Sequence, residues 1–141
     1  MKIERSFTTA KTGAYGALEF TTTVAEIRNP DGTVVFRVDA VEVPAGWHQV
    51  ASDVIAQKYF RKAGVAARLK KVREKGVPSF LWRSVPDEAE LAKLPEDQRL
   101  VGESSSKQVF DRLAGAWADC VWKRGYFSTQ SPAPPHSDKI P

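Results

Sequence analysis

Few residues of this chain are of types that carry out chemistry. His48 and His136 are its two histidines, and a zinc site needs three or four ligands at defined spacings that this pair does not supply. Ser52 and Asp53 follow His48 closely, but no G-x-S-x-G elbow accompanies them, so we interpret them as polar residues of one helix face. The sequence also lacks a Walker loop and a G-x-G-x-x-G motif. We therefore predict no catalytic, cofactor-binding or metal-binding residue in this chain.

Cys120 is the single cysteine. It excludes an intrachain disulfide and a multi-thiolate zinc site, which is typical of a protein of the reducing cytoplasm. Because Cys120 lies on the apolar stripe of a predicted helix, we expect it to be a buried small hydrophobe and not a reactive thiol. No apolar run reaches membrane-spanning length, and the first residues lack the apolar core of a signal peptide. We expect a cytoplasmic protein without a membrane partner.

A basic segment is the one feature that suggests a partner by its charge. Tyr59 and Phe60 stand beside it, as aromatic residues do on some nucleic-acid-binding surfaces. The chain's net charge of +4 and pI near 9.3 permit an anionic partner without requiring one. Two interpretations stay open, a solvated or partner-facing helix, which we favour, and a small module that binds nucleic acid or another polyanion. The basic residues are Lys58, Arg61, Lys62, Arg68, Lys70, Lys71, Arg73 and Lys75.

The element that organises the chain is a helix predicted over residues 47–60. Its apolar residues recur at three- and four-residue steps, whereas His48, Ser52 and Asp53 fall on the opposite face. Pro44 precedes the helix and Gly64 follows it, and both residue types interrupt regular structure. The apolar stripe requires a partner, and it consists of Trp47, Val50, Ala51, Val54, Ile55 and Tyr59.

A second long amphipathic helix is predicted from about Ser104 to Arg124. Residues 104–106 offer a helix cap and Gly125 a terminator. We expect the two helices to share a dry interface that buries Trp47, Ile55, Phe110 and Trp117. The apolar stripe of the second helix contains Val109, Phe110, Leu113, Ala114, Trp117, Cys120 and Val121.

The remaining segments define the fold class. Residues 18–27 and 33–38 are rich in strand-forming types, and Asn-Pro-Asp-Gly at 29–32 favours a hairpin turn between them. The basic segment is predicted to be helical, and a short helix is predicted from about Asp87. We predict an α+β domain over residues 1–127, with an N-terminal β-hairpin packed on a mainly helical body. Within it, residues 1–16 form an arm over the domain, and residues 128–141 form a disordered Pro- and Ser-rich tail.

Several strings of the sequence, taken together and in order, resemble a known family. The resemblance is to the N-terminal region of class II, adenosylcobalamin-dependent ribonucleotide reductases, and it extends over nearly all of residues 1–127. None of the strings is a catalytic motif. They are EIRNPDGTVVF, VEVPAGWHQVASDVIAQKYFRKAGV, VPSFLWRSVPD, QVFDRLAGAW and the closing GYF.

The resemblance implies an enzyme that reduces ribonucleoside diphosphates to deoxyribonucleotides for DNA synthesis. In this bacterial-type family, adenosylcobalamin generates a thiyl radical on a cysteine inside an α/β barrel. The reactive cysteines, the barrel and the cobalamin pocket all lie downstream of the resembling region, and Cys120 matches none of those cysteines. The resemblance therefore implies a non-catalytic N-terminal portion, inactive alone, that docks on the catalytic barrel.

The resemblance leaves two matters open. Aromatic residues near the end of the domain are candidate docking points, with burial in the domain's own core as the alternative: Trp82, Trp122, Tyr126 and Phe127. The short length suggests a truncated or split gene product, or a freestanding copy of the domain.

Overall fold

The structure, a computed structural model, describes residues 13–126 and has the predicted α+β architecture. Its strands are β1 (Phe20–Arg28), β2 (Val34–Pro44), β3 (Val65–Ala66), β4 (Leu69–Lys71), β5 (Ser84–Pro86) and β6 (Leu100–Val101). Its α-helices are α1 (Gln49–Val54), α2 (Glu88–Leu91) and α3 (Ser106–Lys123). A π-helical turn (Ile55–Tyr59) continues α1, and short 3-10 helices span Ser79–Leu81 and Glu96–Gln98. We call α1 and its π-helical turn together the central helix.

Some predictions concern residues outside this range. They are the arm over residues 1–12, the tail over residues 128–141, His136 and the docking role of Phe127.

The predicted hairpin is present and longer than expected. β1 and β2 pair in antiparallel fashion, and β2 continues to Pro44. In the turn, the Gly32 amide donates to the carbonyl of Asn29 at 2.9 Å, and the Asn29 amide donates to that of Thr33 at 2.9 Å. Gly32 has a φ of +87°, which glycine adopts without the steric cost that a Cβ atom would bring. The turn chemistry at 29–32 therefore fixes the register of the hairpin.

A bulge in β2 determines which residues enter the core. The register shifts between the pairs Thr23 with Val41 and Ala25 with Val38, and Ala40 has a φ of +59°. An extra residue in one strand changes the face on which the following side chains lie. Val41 and Val43 are consequently fully buried. The bulge thus turns the end of β2 toward the helices.

The core lies between the hairpin and the helices, as predicted. The central helix packs on β1, and α3 packs on β2. Phe36, Val38, Trp47 and Leu113 are partly buried against this core. Its buried members are Ala25, Val41, Val43, Ile55, Ala56, Phe60 and Val109.

The basic segment is not the helix that we predicted. Gly64, with a φ of +77°, follows the central helix, and the chain then contributes strands to two small antiparallel sheets. β3 pairs with β6, and β4 pairs with β5. As a helix, the segment would have only a few apolar residues on one face and could bury little apolar surface. Pairing with strands from distant parts of the chain instead satisfies its backbone amides and carbonyls with hydrogen bonds. The short helix α2 does begin after Asp87, as predicted.

The second long helix is confirmed as α3. Ser105 is its N-cap, and Ser105 and Gln108 form a reciprocal capping box. The Ser105 side chain accepts a hydrogen bond from the Lys107 amide at 3.2 Å, and Gln108 Oε1 accepts one from the Ser105 amide at 3.0 Å. Gly125, with a φ of +70°, follows the last turn. Local signals therefore set both ends of α3.

Candidate docking surface

The central helix buries a different face from the one predicted. Val50 is 71% exposed and Val54 is 45% exposed. Ser52, which we had placed on the polar face, is buried together with Ile55 and Ala56. The prediction of a buried stripe through Val50 and Val54 is therefore wrong, and it holds only for Ile55 and, in part, for Trp47.

Hydrogen bonds to the hairpin explain this rotation of the helix. Asp53 Oδ1 accepts a hydrogen bond from the Glu26 amide at 3.1 Å. Gln49 Nε2 donates to the Val24 carbonyl at 2.7 Å and to Asp53 Oδ1 at 2.8 Å. Within the part of the chain that the structure describes, β1 has no strand on this side, so its free backbone groups need partners. The polar residues of the helix supply them, which turns Val50 and Val54 outward.

The π-helical turn sets the direction of the last residues of the helix. The Phe60 amide donates to the Ile55 carbonyl at 3.2 Å, a five-residue separation. Phe60 is buried, whereas the side chain of Tyr59 is exposed. This turn therefore keeps Phe60 in the core and places Tyr59 at the surface.

Lys62 lies just beyond the π-helical turn. Its ammonium group lies 4.2 Å from the centre of the Phe36 ring and donates to the Ala56 carbonyl. Desolvation lowers the pKa of Lys62.

A buried carboxylate ties the end of the central helix to α3. Glu103 is only 8% exposed, and its Oε2 accepts hydrogen bonds from the Arg61 amide at 2.9 Å and from Arg112 Nη2 at 3.0 Å. Arg112 Nη2 also donates to the Tyr59 carbonyl at 2.8 Å. Burial alone would raise the pKa of Glu103, but the hydrogen bonds from Arg112 and the Arg61 amide outweigh it and lower the pKa. The cluster fixes the spacing of the two helices at this end.

The apolar stripe of α3 is also exposed over part of its length. Phe110 is 37% exposed and Trp117 is 54% exposed, so the predicted dry interface is wrong at Trp117 and only partial at Phe110. Cys120 is exposed as well, which corrects the prediction of a buried cysteine. The residues of α3 that are buried instead are small, and they are Ser106, Val109, Ala114 and Ala118.

The exposed stripes of the two helices face each other across an open groove of about 550 Å³. The buried residues Ile55 and Val109 form its floor. At one end, the rings of Trp47 and Phe110 meet edge to face, with centres 6.0 Å apart. Among residues 13–126, no charged side chain lines this groove, so it can bind an apolar surface but offers no charged group for catalysis. We call it the apolar groove, and it is lined by Trp47, Val50, Ala51, Val54, Ile55, Tyr59, Val109, Phe110 and Leu113.

Two of the predicted docking aromatics belong to a separate cleft of about 710 Å³ between residues 71–84 and α3. Trp82 and Trp122 line it and are partly buried. Trp82 Nε1 donates to the Val77 carbonyl at 3.0 Å. Arg83 pairs with Glu74 at 3.6 Å, and Lys123 pairs with Asp119 at 2.7 Å. Tyr126 is exposed beyond the end of α3.

The polar residues singled out in the sequence are dispersed. His48 is exposed at the N-cap of α1, Ser52 is buried, and Asp53 bonds to the hairpin. Across residues 13–126, no group of three or more His, Cys, Asp and Glu side chains is placed to hold a metal ion. Over the same range, no helix is long and apolar enough to cross a membrane.

The basic segment is not one continuous element. Its basic residues are divided among the end of the central helix, the residues just after it, β4 and the loops on either side of β4. Lys62 packs on Phe36, and Lys70 pairs with Asp87 at 3.4 Å. This arrangement gives no support to the nucleic-acid interpretation.

Sequence comparisons relate the chain to one family. The profile of the family described as class II vitamin B12-dependent ribonucleotide reductase matches residues 21–140. A vitamin B12-dependent ribonucleotide reductase of Bradyrhizobium diazoefficiens is 61% identical over 140 residues, which are 99% of this chain and 11% of that protein. One of Agrobacterium fabrum is 56% identical over the same shares of the two chains. The chain thus spans about one ninth of the length of these relatives. It belongs to the class II vitamin B12-dependent ribonucleotide reductase family and corresponds to its N-terminal region.

Proposed function

We propose that this chain is the non-catalytic N-terminal portion of a cobalamin-dependent ribonucleoside-diphosphate reductase and that it docks on the catalytic portion of that enzyme. The enzyme reduces ribonucleotides to deoxyribonucleotides for DNA synthesis, and we place it in the cytoplasm. The observation that carries the proposal is the match of 99% of this chain to 11% of each relative. A region of that size is a module of a larger enzyme.

The chemistry of the described residues supports a docking role. The apolar groove offers a hydrophobic surface without acids, bases or nucleophiles. Exposed apolar surface of this kind is typical of an interaction site. The relatives continue far beyond the matched region, and the catalytic portion is the partner that we propose for this surface.

The apolar groove does not fit adenosylcobalamin. That cofactor carries several amides and a phosphate, which require hydrogen-bond donors and acceptors. Among the described residues, the polar side-chain groups that line the apolar groove are the hydroxyl of Tyr59 and the indole N–H of Trp47. In the larger cleft, three of the four basic side chains are already paired with carboxylates, and Lys71 is the fourth. We therefore assign the cobalamin site to the rest of the enzyme and propose no catalytic, cofactor-binding or metal-binding residue here.

As part of the same proposal, residues 1–127 form the domain and residues 128–141 a tail outside it. Proline and serine dominate the tail, a composition that favours neither a helix nor a packed core. Limited proteolysis of the purified chain tests this division, because the proposal predicts early cleavage within residues 128–141.

The experiment that tests the function replaces the matched region of the Bradyrhizobium reductase with this chain. We expect the chimaera to retain cobalamin-dependent reduction of a ribonucleotide, because the two regions are 61% identical. This chain alone should show neither turnover nor tight binding of adenosylcobalamin in equilibrium dialysis. A folded chimaera without activity, or turnover by the isolated chain, would overturn the proposal.

A further inference from the structure

The apolar groove concentrates exposed apolar surface in one place. Val50, Val54, Tyr59 and Phe110 all line it and are exposed by more than a third. Trp117 extends the same face of α3, because it lies one turn beyond Leu113. Contact between such a surface and water is unfavourable. A partner that covers the groove would recover this free energy.

The walls of the groove indicate which secondary structure fits into it. Both walls are helices, and the backbone amides and carbonyls within a helix are already hydrogen-bonded to one another. An incoming strand would therefore find no free backbone edge with which to pair. Val50 and Val54 lie four residues apart, and Phe110, Leu113 and Trp117 lie three and four apart, so they form ridges. Ridges of this spacing pack into the grooves of another helix.

Four charged residues on the two helices that flank the groove are already partnered within the molecule. Asp53 accepts from the Glu26 amide, and Asp111 accepts from the Tyr15 hydroxyl at 2.8 Å. Lys107 pairs with Glu42 at 2.7 Å, and Arg112 pairs with Glu103. Recognition through these charges would have to break existing bonds. The occupant therefore presents an uncharged apolar stripe to the groove.

The geometry points to an amphipathic helix from the remainder of the reductase polypeptide as the occupant of the apolar groove. This inference rests on the proposed function and adds to it the docking site and the type of partner. The relatives contain about eight ninths of their length outside the matched region, which is the source of that helix. Its anchors are apolar side chains at positions i, i+3 or i+4, and i+7.

Photo-crosslinking in the chimaeric reductase tests the inference. A photoreactive amino acid in place of Val54 should crosslink to one downstream segment whose apolar residues recur with helical spacing. Mass spectrometry of the digested product identifies that segment. The matched control places the same amino acid at Val35, which is 57% exposed on the hairpin and away from the groove. It should give no crosslink to that segment.

A charge substitution gives an independent measurement on the same protein. Val54→Lys should raise the rate at which a protease cleaves the chimaera between this region and the rest of the enzyme by about tenfold. This is the effect expected when one apolar anchor of an interface is lost. Val35→Lys should change it by less than about twofold. Circular dichroism of the isolated variants shows that both remain folded.

Other occupants are distinct outcomes and would overturn the inference. A crosslink from position 54 to a second copy would identify a homodimer contact, and one to residues 1–12 or 127–141 would identify an intramolecular cover. If position 54 gives no crosslink and Val54→Lys does not change the rate of proteolysis, the groove has no occupant. An active chimaera with one of these results retains the proposed function and rejects only the docking site.

Discussion

Glu103 shows what a single residue contributes to this domain. Its carboxylate is nearly removed from water and binds the Arg61 amide and the guanidinium of Arg112. Glu103→Gln removes the charge and leaves part of the Arg112 donor set without an ionic partner. We expect a loss of about 2 to 3 kcal/mol in the free energy of unfolding, measured by urea titration.

Glu90→Gln is the matched control for this substitution. Glu90 pairs with Lys93 at 2.6 Å, but both side chains are exposed, so the loss should stay below about 1 kcal/mol. An equal loss in both variants would show that burial of the Glu103 carboxylate does not increase its contribution to stability.

The same carboxylate predicts a dependence of stability on pH. The pKa of Glu103 in the folded chain lies below its ordinary value of 4.5. A depressed folded pKa contributes stability above the unfolded pKa, and this contribution is lost as the pH falls through the folded value. As the pH falls from neutral to below 4.5, the ordinary pKa of a glutamate, the chain should therefore lose more stability than Glu103→Gln does. Parallel urea titrations at several pH values measure the difference, and parallel curves would contradict it.

Cys120 supplies a test of which face of α3 meets water. The residue is exposed, although its place on the apolar stripe had predicted burial. In the native chain we expect a maleimide to label the thiol at a rate within about tenfold of that in urea, because access and not unfolding limits the reaction. Cys120→Ser is the control for labelling elsewhere. Protection by several orders of magnitude would place Cys120 inside the core.

At the scale of elements, local signals in the sequence were sufficient to predict those helices and strands whose bounds depend on their own residues. The turn at 29–32 and the cap at Ser105 fixed the hairpin and α3. The basic segment was different, because β3 and β4 are defined by pairing with β6 and β5. Such pairing depends on residues about fifteen to thirty-five positions away, and a periodicity argument over adjacent residues cannot detect it.

The cap of α3 gives a prediction about an element. Ser105→Ala removes the acceptor for the Lys107 amide and the hydroxyl that donates to Glu42, and we expect the free energy of unfolding to fall by at least about 1 kcal/mol. Ser104→Ala is the control, since Ser104 forms its hydrogen bonds to Glu42 and Gln108 through its backbone. Thermal unfolding by circular dichroism compares the two. A cost at Ser104 as large as that at Ser105 would rule out the capping explanation.

The bulge in β2 gives a second prediction about an element. Ala40 adopts a φ of +59°, a conformation that is unfavourable for a residue with a Cβ atom. Ala40→Gly should therefore raise the free energy of unfolding by up to about 1 kcal/mol. Ala45→Gly, in the turn before the central helix, should instead lower it by a few tenths, roughly the entropic cost of glycine in the unfolded chain. Urea titration distinguishes these opposite signs. A loss of stability at both positions would contradict the backbone strain that we assign to Ala40.

At the scale of the whole molecule, the sequence identified both amphipathic helices but not the way they meet. The stripes through Val54 and Phe110 were visible as patterns, and we expected them to bury each other. Gln49 donates a hydrogen bond to the free edge of β1 and Asp53 accepts one from it, and these bonds rotate the central helix instead. A search for apolar periodicity gives no weight to such bonds, so the apolar groove could be found only in the structure.

The composition of the core predicts the stability of the isolated chain. Its largest fully buried side chains are valines and serines, whereas Trp117 is more than half exposed and Trp47 is only partly buried. Burial of small side chains yields less free energy per residue than burial of aromatic ones. We expect a free energy of unfolding of about 5 kcal/mol, the low end for a domain, in urea titration followed by circular dichroism. A value above about 10 kcal/mol would contradict the view that a core of small side chains limits the stability of this chain.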